Sequence, residues 1–302
     1  MAKNIFVLLL GNKEQGEVNE FQLLQEETAL AEGRRTGLGV EVQFAPGFDQ
    51  ARALKKRLME APTKPLDAVV TEPASTAALD LILRDLKGKA GLILLNAWGP
   101  SVEEYSRLWG SEHPLGTVST DHTKIGEIQG RQISAILADG GTALLVTGPG
   151  RSSAAQQRLA GTKATLKPQI KVLDTEAGQW TEADGAAAFN SWYGVFKARN
   201  ETVHVIAAQN DELAMGARNA AQSVLSPAHK DMFLKARYLG VDASPRYGRR
   251  LVDSSSLAAS ITTPANTGTA IAHLLAFWRD HRPVPLRAFT EVTPYPAGSV
   301  KG

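Results

Sequence analysis

The 302-residue chain sets 33 Lys and Arg against 31 Asp and Glu, a net charge of +2, and contains no cysteine. The missing cysteine excludes a disulfide scaffold, a thiol nucleophile, Cys-ligated zinc and an iron–sulfur cluster. The near balance of charge, with no long basic run, excludes an electrostatic track for nucleic acid.

Taken from the amino end, Ile5–Leu10 is the longest apolar run. It is far below the ~20 residues of a membrane-spanning helix, and no small-residue cleavage site follows it, so no export signal is expected in the chain as written. Asn4–Leu10 reads as a buried strand, Gly11–Glu17 as a loop, and Val18–Arg35 as a helix stopped by Gly37. Strand Val40–Ala45, helix Phe48–Glu60, strand Ala68–Thr71, helix Ser75–Leu86 and strands Leu92–Asn96 and Gly116–Thr120 follow. The alternation continues with helix Ile125–Ala138, strand Ala143–Thr147, helix Ser153–Leu166, strand Ile170–Asp174, helix Ala183–Ala198, strand Val203–Ala208 and helix Glu212–Leu225. Strands Tyr238–Val241 and Leu257–Thr262 and helix Gly268–Arg279 close the pattern. The tail from Pro283 to Gly302, with four prolines, reads as an edge strand of the second lobe that then frays.

Apolar strands separated by helices imply parallel sheets covered on both faces, a doubly wound α/β architecture. About ten strands exceed one ordinary sheet, so two smaller sheets are expected. The segment Pro114–His122, where a boundary would fall, is itself strand-like, which implies lobes that exchange strands. Ligands of such sheets bind beyond the carboxyl ends of the strands.

Motifs of catalysis are missing there. No glycine-rich loop ends in Gly-Lys-Ser/Thr, no Gly-x-Ser-x-Gly elbow exists, and the six histidines show no metal-binding spacing. Thr147–Ser153 imitates a phosphate loop, and a strand-to-helix turn capped by Ser152 or Ser153 explains it better. No enzyme activity, cofactor or metal is expected. What the strand ends carry instead is polar: Glu72 after Thr71, Asn96 and Trp98 after Leu95, Gln209-Asn210-Asp211 after Ala208, and Asp242 after Val241. Such amides and carboxylates would serve a ligand rich in hydroxyls. Each also has a local reading: Asn210 or Asp211 as the cap of the following helix, with the cap favoured for Asp211; Asp242 as a cap for the Pro245 segment; Glu72 as a turn residue; Trp98 as core or surface; Trp180 as a staple before a capped helix.

The run Val205-Ile-Ala-Ala-Gln-Asn-Asp-Glu-Leu-Ala-Met-Gly-Ala-Arg218 resembles the most recognisable segment of the type I periplasmic sugar-binding proteins, shared with the core domains of lac-repressor-like proteins. Ser152–Gly161, Gly240-Val241-Asp242 and Leu257–Ile261 resemble three further segments of that family in the same order. The resemblance implies two Rossmann-like lobes joined by three hinge strands, an N-terminal lobe of 1–119 plus 264–286 and a C-terminal lobe of 120–263 plus 287–302, closing on a sugar or polyol between them. It implies that Arg158, Asn210 and Asp242 hold hydroxyls in the second lobe, with Trp180 as an aromatic wall, and that Asn19 and Phe21 serve the first. Relative to ribose binders, Asn96-Ala97 stands for an Asp-Arg pair, Gln22 for a second aromatic, Glu72 for an amide and Thr263 for a hinge glutamine, so ribose itself is not implied, and a carbohydrate or polyol of open identity is expected at Glu72, Asn96 and Thr263. The implied partners are a carbohydrate and the membrane permease of an ABC transporter. The protein itself is expected as a monomer that is not membrane-embedded and binds no nucleic acid. It would be periplasmic or in the cell envelope as a trimmed exported form. If Met1 is the native start, it would be a cytoplasmic ligand sensor of the same fold without a DNA-binding domain.

Overall fold

The computed structural model describes residues 3–16, 18–199 and 201–300. Glu17, which ends the expected first loop, and Lys301 and Gly302, which end the expected tail, lie outside the described residues. The chain divides into two compact units, Met1–Thr120 with Ala265–Thr290, and Asp121–Pro264 with Glu291–Gly302. It therefore passes from one unit to the other three times, at 120/121, 264/265 and 290/291.

In the first unit, strands β1 (Asn4–Leu10), β2 (Gly39–Ala45), β3 (Ala68–Thr71), β4 (Gly91–Leu95) and β5 (Leu115–Thr120) alternate with helices α1 (Glu20–Thr36), α2 (Gln50–Glu60), α3 (Thr76–Leu86) and α4 (Pro100–Leu108). Helix α11 (Asn266–Asp280) and strand β11 (Ala288–Thr290) return to it from the far end of the chain. The sheet order is β11-β5-β4-β3-β1-β2, and every pairing is parallel. Strands β1, β3 and β4 are buried on both faces, which is why their sequences are apolar without alternation. Helix α1 starts where Asn19 and Gln22 form a reciprocal capping box and stops at Gly37, whose φ of 73° suits a residue without Cβ.

In the second unit, β6 (Gly141–Thr147), β7 (Ile170–Glu176), β8 (Val205–Ala208) and β9 (Arg237–Leu239) form a parallel sheet in the order β7-β6-β8-β9. Helices α5 (His122–Ile136), α6 (Ser153–Thr165), α7 (Glu182–Phe196), α8 (Asp211–Gln222), α9 (Pro227–Lys235) and α10 (Gly248–Asp253) flank it. Strand β10 (Ser260–Thr262) runs beside the end of β9 through parallel bridges and pairs antiparallel with β12 (Thr293–Tyr295). Helices α5 and α6 approach closely because glycines face backbone. A Cβ on Gly126 would collide with the Arg158 carbonyl, and one on Gly161 with the Thr123 carbonyl.

The structure departs from the expected elements in traceable places. Helices α4 and α9 have one buried residue each, Val102 and Phe233, so no apolar period marks them. The expected helix Glu212–Leu225 ends at Gln222, because the chain turns at Ser223 toward Pro227. Residues 287–290, expected in the second lobe, belong to the first unit, where Ala288–Thr290 pair with Val118–Thr120 of β5 and the Thr290 hydroxyl donates to Asn266 Oδ1 at 3.1 Å. The tail thus supplies an edge strand to the first unit and only then β12 to the second.

Candidate functional site

In the second unit the order β7-β6-β8-β9 makes the crossover connections diverge between β6 and β8, the place where such sheets open a crevice at their carboxyl ends. Arg158, from α6, crosses that place. Its guanidinium is buried, donates through Nη1 to the Gln209 carbonyl and through Nε to His122 Nδ1 at 3.4 Å, and lies over the Trp180 ring at 5.4 Å from the centroid. Burial lowers its pKa, while the carboxylates of Asp242 and Asp211 act in the opposite direction, so the guanidinium keeps its charge.

Asp242 follows β9 with a φ of 103°, and Ala243 follows with 39°, two left-handed residues that are not glycine. Such backbone costs about 1–3 kcal/mol per residue and persists where the surroundings hold it. Here the holder is Asp211. Its Oδ2 accepts from the Ala243 N–H at 2.8 Å, its Oδ1 from the Ser260 hydroxyl at 2.6 Å, and its own N–H donates to the Val241 carbonyl at 2.8 Å. Asp211 was expected as a helix cap. The structure instead gives that part to Asn210, whose Oδ1 accepts from the Leu213 N–H at 2.7 Å, while Asp211 locks the turn of Asp242 to β10. Burial, then repulsion from Asp242, raises the Asp211 carboxyl well above the ordinary range.

The Asp242 carboxylate is buried and accepts from the Thr263 hydroxyl at 3.1 Å through Oδ1. Burial pushes its pKa up to about 6 against the pull of Arg158 and Thr263. Among the described residues it caps no helix, and the helix start that follows has no side-chain cap, which removes the capping alternative for this residue. Asn210 also donates from Nδ2 to the Trp180 carbonyl at 2.8 Å, so the amide fixes both the start of α8 and the loop that carries the ring. Trp180 in turn packs on Gly148: a Cβ there would collide with the indole Cη2. Gly148→Ala is therefore expected to shift the indole, change tryptophan emission and cost about 1–3 kcal/mol of overpacking, read by fluorescence and chemical denaturation.

The first unit carries a second polar set at the ends of β3, β4 and β5. Asn96, with a φ of 50°, donates from Nδ2 to Glu72 Oε1 at 3.3 Å and accepts at Oδ1 from the Thr120 N–H at 3.0 Å and Asn266 Nδ2 at 2.9 Å. Asn266 Oδ1 takes the hydroxyls of Thr120 and Thr290 at 3.3 and 3.1 Å. Glu72 is partly buried and meets no cation among the described residues of this set, and burial raises its carboxyl to about 7, with Asn96 opposing. Asn19 spends its side-chain oxygen on the α1 cap, and Phe21 is half-buried on the first turn of that helix. The face of Trp98 is covered by the Arg287 guanidinium at 5.1 Å.

The structure thus brings Arg158, Trp180, Asn210, Asp242 and Thr263 together in one unit, and Glu72 with Asn96 in the other. Sequence reasoning missed His122, Ser260 and Asn266 as parts of these sets, and it placed Gln209 and Asp211 at a strand end without the contacts they make. Gln209 bridges Gly148 N–H and the Ala155 carbonyl at 2.9 and 3.0 Å, joining the loop after β6 to α6. Among the described residues, no cluster of three or more His, Asp or Glu is arranged for a metal ion, and no helix is long and apolar enough to cross a membrane.

No curated protein matches the chain in sequence. Solved structures match its fold over nearly its whole length. An ABC transporter periplasmic solute-binding protein from Actinobacillus succinogenes 130z with bound D-allose is 18% identical, with a TM-score of 0.79, covering 99% of each chain. The periplasmic component of the arabinose ABC transporter from Shewanella sp. ANA-3, bound to α- and β-L-arabinofuranose, is 17% identical with a TM-score of 0.76, over 98% of this chain and 93% of that one. The fructose-binding periplasmic domain of a hybrid two-component system is 18% identical with a TM-score of 0.76, over 97% and 90%. At these identities the likeness establishes the fold, parallel α/β units of the type I kind, in agreement with the architecture expected from the sequence. The family model described as periplasmic binding protein domain matches residues 21–277, most of the chain, and the protein belongs to that family.

Proposed function

We propose that the protein is the solute-binding component of an ABC transporter in the periplasm or cell envelope, and that it binds a neutral sugar or polyol. The observation that carries this reading is the meeting of the Asp242 carboxylate, the Arg158 guanidinium and the Trp180 ring around one strand-end turn. A carboxylate accepts from hydroxyls, a guanidinium donates to them, and an aromatic ring takes the apolar C–H face of a pyranose or furanose. Glu72 and Asn96, with Phe21 and Asn19, would meet the same ligand from the first unit. Asn210 and Thr263 act here as supports for Trp180 and Asp242. A ligand that engages both sets has contacts that neither set makes alone, and so favours a closed population. Two similarly folded proteins with bound D-allose and bound L-arabinofuranose, and a third that is a fructose-binding domain, support the ligand class.

Thermal denaturation with D-allose, L-arabinose, D-fructose and myo-inositol tests it. At a hundredfold excess over Kd a true ligand adds about 2.7 kcal/mol, which for a chain of this size raises Tm on the order of 5 °C. A flat response to every sugar and polyol sinks the reading. The ligand is expected to be recovered chemically unchanged and to reduce the radius of gyration in X-ray scattering. The likeness to a sensory domain favours one second reading, a sugar receptor that signals to a kinase. Sugar-stimulated ATPase activity of a reconstituted permease separates the two.

A further inference from the structure

We infer that His122 is a positioning residue for ligand binding, holding the Arg158 guanidinium so that its Nη2 amino group is kept for the ligand. The inference rests on the proposed role of Arg158 and adds to it the group that aims it.

Arg158 has three hydrogen-bonding nitrogens, and two are committed within the second unit. Nη1 goes to the Gln209 carbonyl and Nε to His122 Nδ1. Among the described residues no protein group accepts from Nη2. A guanidinium held at two corners and covered on one face by Trp180 is a planar fork with one corner left. A long arginine side chain loses about 2 kcal/mol of rotamer freedom on fixation, and here the protein bears that cost before a ligand arrives.

The placement of His122 is built into the fold. It is the first residue of α5, after Asp121, whose side chain caps the helix by accepting from the Lys124 N–H at 2.8 Å. The close packing of α5 on α6 through Gly126 and Gly161 brings the first turn of α5 beside Arg158. The ring is buried, and for Nδ1 to accept it must carry its proton on Nε2, the neutral tautomer. Burial, followed by the charge of Arg158, drives its pKa down to about 3, so the acceptor persists across the physiological range. A histidine next to an arginine is an unusual choice for the core unless its acceptor is used, because a protonated ring there would repel the guanidinium.

The test compares wild type with His122→Leu, His122→Asn and Arg158→Ala in the full chain. Asparagine places its Oδ1 where Nδ1 lies, whereas leucine keeps the bulk and removes the acceptor. Hydrogen exchange at the Arg158 Nε–H, followed by 15N NMR without ligand, is expected to quicken about tenfold or more in His122→Leu and to stay within threefold of wild type in His122→Asn. Calorimetry with D-allose, D-fructose and myo-inositol is expected to show about tenfold weaker binding for His122→Leu and near wild-type binding for His122→Asn. Thermal melts establish that each variant is folded, and should His122→Leu not fold, the exchange and affinity of His122→Gln, whose acceptor lies farther out, take its place. Unchanged exchange in the variant without the acceptor overturns the inference, as does unchanged affinity where Arg158→Ala loses binding. If Arg158→Ala binds like wild type, or no sugar binds wild type, the proposed function fails at that point, and the exchange rate alone decides whether His122 holds the guanidinium.

Discussion

Asp242→Ala is expected to weaken sugar binding at least a hundredfold while the protein stays folded. A carboxylate accepting from two sugar hydroxyls makes hydrogen bonds worth roughly 1.5–3 kcal/mol each, and the loss of two corresponds to about 10²–10⁴ in Kd. The fold should survive because the turn does not depend on this side chain. Its backbone N–H donates to the Ile261 carbonyl at 2.9 Å, and Asp211 holds the neighbouring Ala243 N–H. Removing a carboxylate whose pKa is already raised to about 6 also relieves its repulsion of Asp211. Asp242→Asn separates charge from shape, since its Oδ1 can still accept from the Thr263 hydroxyl while the second group becomes a donor. Calorimetry should therefore rank wild type above Asn and Asn above Ala, with melting temperatures within a few degrees of one another. Equal affinities for all three place the ligand elsewhere.

Much of this was legible in the chain because the physics was local. Seven-residue apolar strands such as Asn4–Leu10 and the capped start of α1 at Asn19 follow from burial and helix-end chemistry. The Gln209-Asn210-Asp211 run announced a strand end and a helix start. What it did not announce is which of two adjacent side chains caps the helix and which reaches 32 residues ahead to hold the turn at Ala243. That choice depends on β9 lying beside β8 and β10 beside the end of β9, a tertiary fact. His122 and Asn266 were hidden for the same reason, since each acts through a partner 36 or 170 positions away. Short elements escaped differently. Strands of three residues, such as β11 and β12, have no period to read, and α9 buries only Phe233.

Binding is also expected to depend on pH between 5 and 8. Asp242 titrates near 6 and Glu72 near 7, both raised above their ordinary 3.8 and 4.5 chiefly by burial. If the ligand needs each as an acceptor, affinity is full at pH 8 and falls as each carboxyl takes up a proton. At pH 5 the loss is about tenfold through Asp242 and about a hundredfold through Glu72, since each pH unit below a pKa costs a factor of ten. Other charged groups near these carboxyls do not reverse the sign. Arg158 stays a cation, His122 stays neutral down to about 3, and Asp211 is occupied by Ser260 and Ala243.

Stability of the free protein is a poorer readout of the same groups. Carboxyls whose folded pKa is raised contribute stability that is present at low pH and lost as pH rises through about 6 and 7, whereas the depressed His122 contributes stability that is present above 6.5 and lost on acidification. The two effects oppose each other between pH 7 and 5, each on the order of 1–3 kcal/mol. Affinity has no such cancellation. Calorimetry from pH 5 to 8 should show two steps in wild type, one step near 6 in Glu72→Gln, and one near 7 in Asp242→Asn. An affinity that does not change across that range would mean that neither carboxylate touches the ligand.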